Sequence, residues 1–356
     1  MKRLPNLDPL RFILASLVLL FHLPQLSRNQ GLPYFDDLPI YHRGIEAVYM
    51  FFVLSGFLII RLIYKEKIRG NFSIKDFYVR RILRIFPLYY LVLIFGLVFY
   101  NFLLPLFNIP FTINYTWGQA ILYNLFFLPN VFGKIYEPGG ILEVLWSIGI
   151  EEQFYLLIAP LLFFINNKWI LRVLTLLFAS YFTIFHLEAF GFLREYLFVF
   201  FFLFSGGIIA ILEEKKKLEF LKRNILVPVI VCIATFLLFV TDVFQFEGLW
   251  IQNLFTCILF SLFIHSISFN NHGVEVKSRL LNHFGSISYG IYMFHAIVLN
   301  AVVFLFQKIE VFQNLNDNLT IVFLHLFTFA GTLFLAHISY TYFELYFLKL
   351  KNKFRK

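Results

Sequence analysis

Hydrophobic residues in this chain come in long blocks, not in the strict alternation of half-buried strands. Ten such blocks occupy approximately residues 9–27, 46–64, 82–106, 146–165, 168–187, 192–212, 224–241, 248–269, 284–306 and 318–346. A helix needs roughly twenty apolar residues to cross the hydrocarbon core of a bilayer. The pattern therefore predicts an all-α integral membrane protein, a bundle of about ten transmembrane helices. Several blocks exceed the minimum, which predicts tilt or extension beyond the bilayer. Between the third and fourth blocks lies a long segment, 108–145, with its own apolar stretch, AILYNLFFLP. That stretch is too short to span and is expected to re-enter or to lie in the interface.

Composition agrees with the pattern. Hydrophobic residues make up 60% of the chain and charged ones 14%, and mean hydropathy is +0.77, which excludes a soluble domain with a large core. Cys232 and Cys257 both fall inside apolar runs and offer no disulfide or metal spacing. The net charge of +9 would suit a nucleic-acid binder, but its placement points to topology instead. With the N-terminus inside, twenty-four of the thirty Lys and Arg fall on inner segments. Arg28, Arg43, Lys134, Arg194 and Lys308 fall outside, and Arg11 lies within the first block. This positive-inside bias predicts that both termini are cytoplasmic, with a basic tail over 349–356. The partner it implies is the lipid bilayer, not nucleic acid. Lys2 and Arg3 precede the first block as in a signal peptide, yet Asp8 and Arg11 intrude on its apolar run. An uncleaved helix is expected.

The candidate chemistry sits where polar residues interrupt the blocks. In LDPLRFILASLVLLFHL, Arg11 and His22 are eleven residues apart. At 100° per residue they share one helix face, separated by roughly 16 Å of rise. Ionisable groups inside a span usually face a bundle interior or an aqueous cavity. Arg11 could also pair with Asp8 or snorkel, and His22 could be a buried imidazole satisfied by a neighbouring helix. In VYMFFVLSGFLII, Ser55 and Gly56 suit close backbone packing at least as well as catalysis. In FYVRRILRIFPLYYL, Arg80, Arg81 and Arg84 can share one side of a helix, either as a positive-inside anchor or as a phosphate clamp. Pro87 is expected to bend or restart that helix.

In WSIGIEEQFYLL, Glu151 and Glu152 point about 100° apart, so at most one is expected to face the polar interior while the other is exposed or paired. A buried carboxylate there could orient an imidazole or accept a proton. The ninth block opens with SISYGIYMFH. His295 falls roughly 16 Å, and His22 roughly 20 Å, from the cytoplasmic face, so the two could meet at similar depth. Ser55, Trp146, Ser147, Tyr289, Tyr292 and His295 are candidate cavity-lining residues.

Five blocks in this order, LDPLRFILASLVLLFH, FFVLSGFLI, RRILRIFPLYYL, WSIGIEEQFYLL and SISYGIYMFH, resemble the acyltransferase-3 family of integral-membrane acyltransferases. The resemblance covers about residues 6–348 and implies a single membrane domain over 1–356. It also implies acyl transfer, commonly acetyl from acetyl-CoA, to a hydroxyl on a glycan or lipid-linked carbohydrate acceptor. Acyl-CoA would be a co-substrate; no bound cofactor and no metal are implied. The family's arginine and histidine, ten residues between them, fall on Arg11 and His22, its glutamate on Glu151, and its juxtamembrane arginines on Arg80, Arg81 and Arg84. On this resemblance His22 is the general base or a transient acyl carrier, Glu151 assists it, and Arg11, Arg80, Arg81 and Arg84 bind CoA. The location implied is a cell membrane, the bacterial cytoplasmic one.

Two departures stand out. Ala47, Val48 and Tyr49 replace the usual Gly-Val-acidic pattern, and Glu344-Leu345-Tyr346 replaces a glutamate-X-proline, so the last helix is expected to run on. A different donor such as succinyl-CoA keeps the same fold. A secondary transporter is the rival class, since intramembrane His, Arg and Glu also mark proton relays. No repeat relates the two halves of the sequence, which weighs against it.

Overall fold

The computed structural model describes residues 4–269 and 275–354. Lys2, Arg3, Arg355 and Lys356, part of the basic count above, lie outside the described residues. Among the described residues every regular element is helical. The main helices are α1 (Leu7–Asn29), α2 (Gly44–Ile68), α3 (Ile74–Leu106), α4 (Trp117–Leu125), α5 (Pro129–Tyr136), α6 (Gly140–Phe164) and α7 (Ile170–His186). They continue with α8 (Phe200–Glu214), α9 (Leu226–Val240), α10 (Leu249–Ser268), α11 (Arg279–Ser286), α12 (Ser288–Lys308) and α13 (Asp317–Lys351).

Among the described residues seven of these, α1, α2, α3, α6, α10, α12 and α13, are long and apolar enough to cross a membrane. An eighth span arises if α7 is joined to Glu188–Glu195, from which it is bent by 94°. The chain is a multi-pass membrane protein. Every one of the ten predicted blocks contains a helix, but α8 and α9 have 15 residues each. That is about 22 Å of rise, short of the roughly 30 Å hydrocarbon core. The apolar stretch of segment 108–145 falls largely in α4, nine residues long, opened by a capping box between Thr116 and Gln119.

The chain divides into two compact units, residues 1–51 with 219–343, and residues 52–218 with 344–356. In the first, α1 packs on α11 and α12, α12 on α13, and α9 on α10. Gly285 of α11 lies so close to α1 that a Cβ would run into the backbone carbonyl of Asp8. Leu19 and Leu23 of α1 join Leu299, Val303 and Phe306 of α12 in a buried cluster. Asn6, in a left-handed conformation that asparagine tolerates, ties the start of α1 down: its amide donates to the Ile267 carbonyl (2.9 Å) and accepts from the Val276 N–H (2.8 Å).

In the second unit, α2 and α8 cross through reciprocal glycines. A Cβ on Gly56 would strike the Leu203 carbonyl, and one on Gly206 the Val53 carbonyl. This is the close backbone approach that small residues permit in membranes. Glu214 on α8 accepts from Arg61 (2.7 Å) and Lys65 (3.0 Å) of α2. The Lys67 ammonium donates to the carbonyls of Leu162, Phe163 and Ile165 at the end of α6, which have no helical partner of their own. Ser73 caps α3 through the Asp76 N–H (3.2 Å), and the helix runs through Pro87 without restarting. At the far end, α13 passes Glu344 in a π-turn and continues to Lys351, since Tyr346 keeps the N–H that a proline would lack.

Candidate functional site

In the first unit the chemistry gathers on α1 and α12. The His22 and His295 rings are stacked, 5.3 Å between centroids and 25° between planes. His22 Nδ1 donates to Gln25 Oε1 (3.2 Å), one turn further along α1. His295 Nδ1 donates to the Tyr292 carbonyl (2.5 Å). With Nδ1 used as donor, each neutral ring keeps its lone pair on Nε2. His295 is almost fully buried, at 1% exposure, and its Nε2 has no hydrogen-bond partner among the described residues. The Tyr292 ring lies 5.6 Å from His295 and is met edge-on by Phe51. Phe21 closes on His22 at 5.0 Å. The two histidines read from helix rise as lying at similar depth are thus brought together.

Arg11 lies three turns before His22 on α1 and pairs with Asp8 at 2.9 Å, the local pairing that its i,i+3 spacing allows. Tyr289, one turn before Tyr292, is half-buried on α12.

In the second unit a hydrogen-bonded chain links α2 to α6. The Tyr155 hydroxyl donates to Glu151 Oε2 (2.6 Å), which leaves its oxygen to accept from the Ser55 hydroxyl. The Arg81 guanidinium lies 5.9 Å from both the Tyr155 and Phe77 rings. Trp146 meets Phe52 edge-on at 5.8 Å, and Ser147 is buried. Ser55, Glu151 and Arg81 therefore converge, and Tyr155, which the sequence analysis did not single out, is their common contact. Its signal was present in the i,i+4 spacing from Glu151.

Glu152 corrects an expectation. It is neither exposed nor fully paired: it is buried, and its Oε1 has no partner among the described residues. The reason is that α6 is packed by α3, α5 and α8, so faces 100° apart are both covered. The neighbouring Gln153 donates to the Phe127 carbonyl (2.5 Å) and Asn130 Oδ1 (3.0 Å).

The three arginines of α3 have three different surroundings. Arg80 is buried and grips both oxygens of Glu66 (2.9 and 3.0 Å) while donating to the Phe354 carbonyl (2.9 Å), so its fork is filled by the protein. Arg81 is half-buried against aromatic rings, with its buried Nε unpartnered among the described residues. Arg84 is exposed.

Comparison with known proteins points one way. A family model described as an acyltransferase domain matches residues 4–337. The peptidoglycan O-acetyltransferase OatA of Listeria monocytogenes is 28% identical over 326 residues, covering 83% of this chain and 49% of that protein. A putative peptidoglycan O-acetyltransferase of Bacillus subtilis, YrhL, is 33% identical over 165 residues, 43% of this chain and 23% of that one. A putative O-acetyltransferase of Staphylococcus aureus is 31% identical over 164 residues, 44% and 24% respectively. The chain therefore spans about half the length of the first of these relatives and about a quarter of the other two. No solved structure matches it.

Proposed function

We propose, from the premise that the chain belongs to the acyltransferase family whose model spans residues 4–337, that it moves an acetyl group from cytosolic acetyl-CoA to a hydroxyl of an extracytoplasmic cell-envelope glycan. The observation that carries this reading is the His22–His295 pair. An imidazole with Nδ1 already donating and Nε2 carrying its lone pair, held among aromatic rings, suits proton abstraction from a hydroxyl. In this reading His22 Nε2 takes the hydroxyl proton as that oxygen attacks the thioester carbonyl. The carbon–sulfur bond then breaks, and the proton passes to the departing CoA thiolate. An ester and free CoA result, with no other reactant required.

Within the second unit, Arg81 and Arg84 are the cations offered to the donor's phosphates. Arg80 serves as an anchor, since Glu66 and the Phe354 carbonyl already occupy it. Arg11 precedes His22 by roughly 16 Å of helix rise, comparable with an extended pantetheine arm. Within the second unit, Glu151 is a carboxylate held by Tyr155. All ten apolar blocks cross the membrane in this reading, α8 and α9 with help from their flanking residues, and both termini are cytoplasmic. The peptidoglycan named for the relatives makes a glycan hydroxyl the first acceptor to test.

The test is direct. The full chain, purified into lipid vesicles, is incubated with acetyl-labelled acetyl-CoA, with and without soluble peptidoglycan strands. Release of CoA thiol that depends on the strands, with label appearing in them, supports the reading. Substrate passing into the vesicles with the thioester intact overturns it in favour of a transporter.

A further inference from the structure

We propose that His295 contacts the substrate directly: its Nε2 accepts a hydrogen bond from a donor group, hydroxyl or amide N–H, on the molecule bound beside His22. This deepens the acyltransferase reading and rests on it.

His295 Nδ1 is committed to the Tyr292 carbonyl at 2.5 Å, a bond within one turn of α12. That bond fixes the tautomer and leaves Nε2 as an acceptor. The side chain is 1% exposed, and no atom among the described residues donates to Nε2. Buried acceptors are satisfied in nearly all proteins, because leaving one bare forfeits its hydration with nothing in return. Here the bare nitrogen belongs to the ring stacked on His22, the base of the proposed reaction.

Two donor groups fit. One is a hydroxyl of the glycan next to the one being acylated; the other is an amide N–H of the pantetheine arm. The chemistry required of His295 is the same for both, and kinetics tell them apart.

The experiment uses the difference between two amides that each mimic one edge of the ring. In His295→Asn, the side-chain amide sits where Nδ1 was and can keep the Tyr292 carbonyl bond. In His295→Gln, the longer side chain puts an oxygen where Nε2 was. Both variants and the parent are purified as full chains in vesicles, and their recovery as monodisperse protein after extraction reports the fold. Turnover is measured with acetyl-CoA and soluble peptidoglycan strands varied in turn.

The proposal expects His295→Gln to stay close to the parent and His295→Asn to raise one KM by roughly tenfold. A rise in the KM for the strands assigns the contact to the acceptor; a rise in the KM for acetyl-CoA assigns it to the pantetheine arm. The reverse pattern, Asn active and Gln impaired, means that only the Tyr292 tether matters and overturns the proposal. So does equal behaviour of the two variants. A parent chain that turns over nothing brings down the acyltransferase reading itself, whereas an active parent with either contrary pattern brings down this inference alone.

Discussion

Removing a single oxygen from Tyr155 separates the role of Glu151 from the packing around it. In the structure that hydroxyl donates to Glu151 Oε2 at 2.6 Å and accepts from Ser55, while the ring lies against the Arg81 guanidinium. Tyr155→Phe keeps the ring and discards both hydrogen bonds. A hydrogen bond to a carboxylate contributes roughly 1.5–3 kcal/mol, so losing it at a group that acts in the transition state lowers kcat by about 30-fold. Ser55→Ala removes only a neutral bond of about 1 kcal/mol, or roughly fivefold. Ser55 is also within hydrogen-bonding reach of Glu151. The double variant should therefore lose at least as much as Tyr155→Phe alone, but less than the product of the two single effects. The assay is strand-dependent release of CoA thiol by the full chain in vesicles, alongside its elution as a single species. Wild-type activity in Tyr155→Phe, or a double variant that shows the full product, would refute the chain from Ser55 through Tyr155 to Glu151.

Other outcomes follow from the same contacts. Gly56→Ala and Gly206→Ala should each destabilise the second unit by roughly 1–3 kcal/mol, because a methyl group there meets a backbone carbonyl that cannot swing away. Thermal unfolding in detergent would register the loss, and Gly118→Ala, where the nearest atom to a new methyl is 4.0 Å away, should leave the melting point unchanged or raised. Glu66→Ala leaves the buried Arg80 without its carboxylate and should cost about 3–5 kcal/mol in the same measurement. Glu66→Gln, which keeps an acceptor but no charge, should cost less; equal losses would show that a neutral acceptor contributes nothing and that the charge alone holds Arg80.

The apolar blocks were legible in the sequence because the bilayer sets a length that hydropathy can measure. The meeting of His22 and His295 was legible for a related reason: helix rise converts residue number into depth. Depth says nothing about what fills the remaining space, and there the reading fell short. The three arginines of α3 look alike in sequence, yet Arg80 is occupied by Glu66 on α2 and by the carbonyl of Phe354, some 274 residues away. Glu152 was expected to be exposed or paired because the covering of α6 on several sides is a tertiary fact. The block at 192–212 hid a break: the backbone turns through Leu197 at a φ of 56°, and α8 begins only at Phe200. Hydropathy follows side chains and is blind to such a turn. The node at Tyr155 was readable from its spacing, but Ser55 on another helix gives it its meaning.

In the proposed reaction the decisive residue is His22, the group that takes the acceptor's proton. The decisive comparison is between the parent chain and His22→Ala, both purified into vesicles and supplied with acetyl-labelled acetyl-CoA and soluble peptidoglycan strands. Loss of a general base lowers the rate by roughly 10²–10⁴-fold, so label should accumulate in the strands with the parent and stay near background with the variant, both proteins being recovered in equal amount. Label transfer by His22→Ala within a few-fold of the parent would contradict the account.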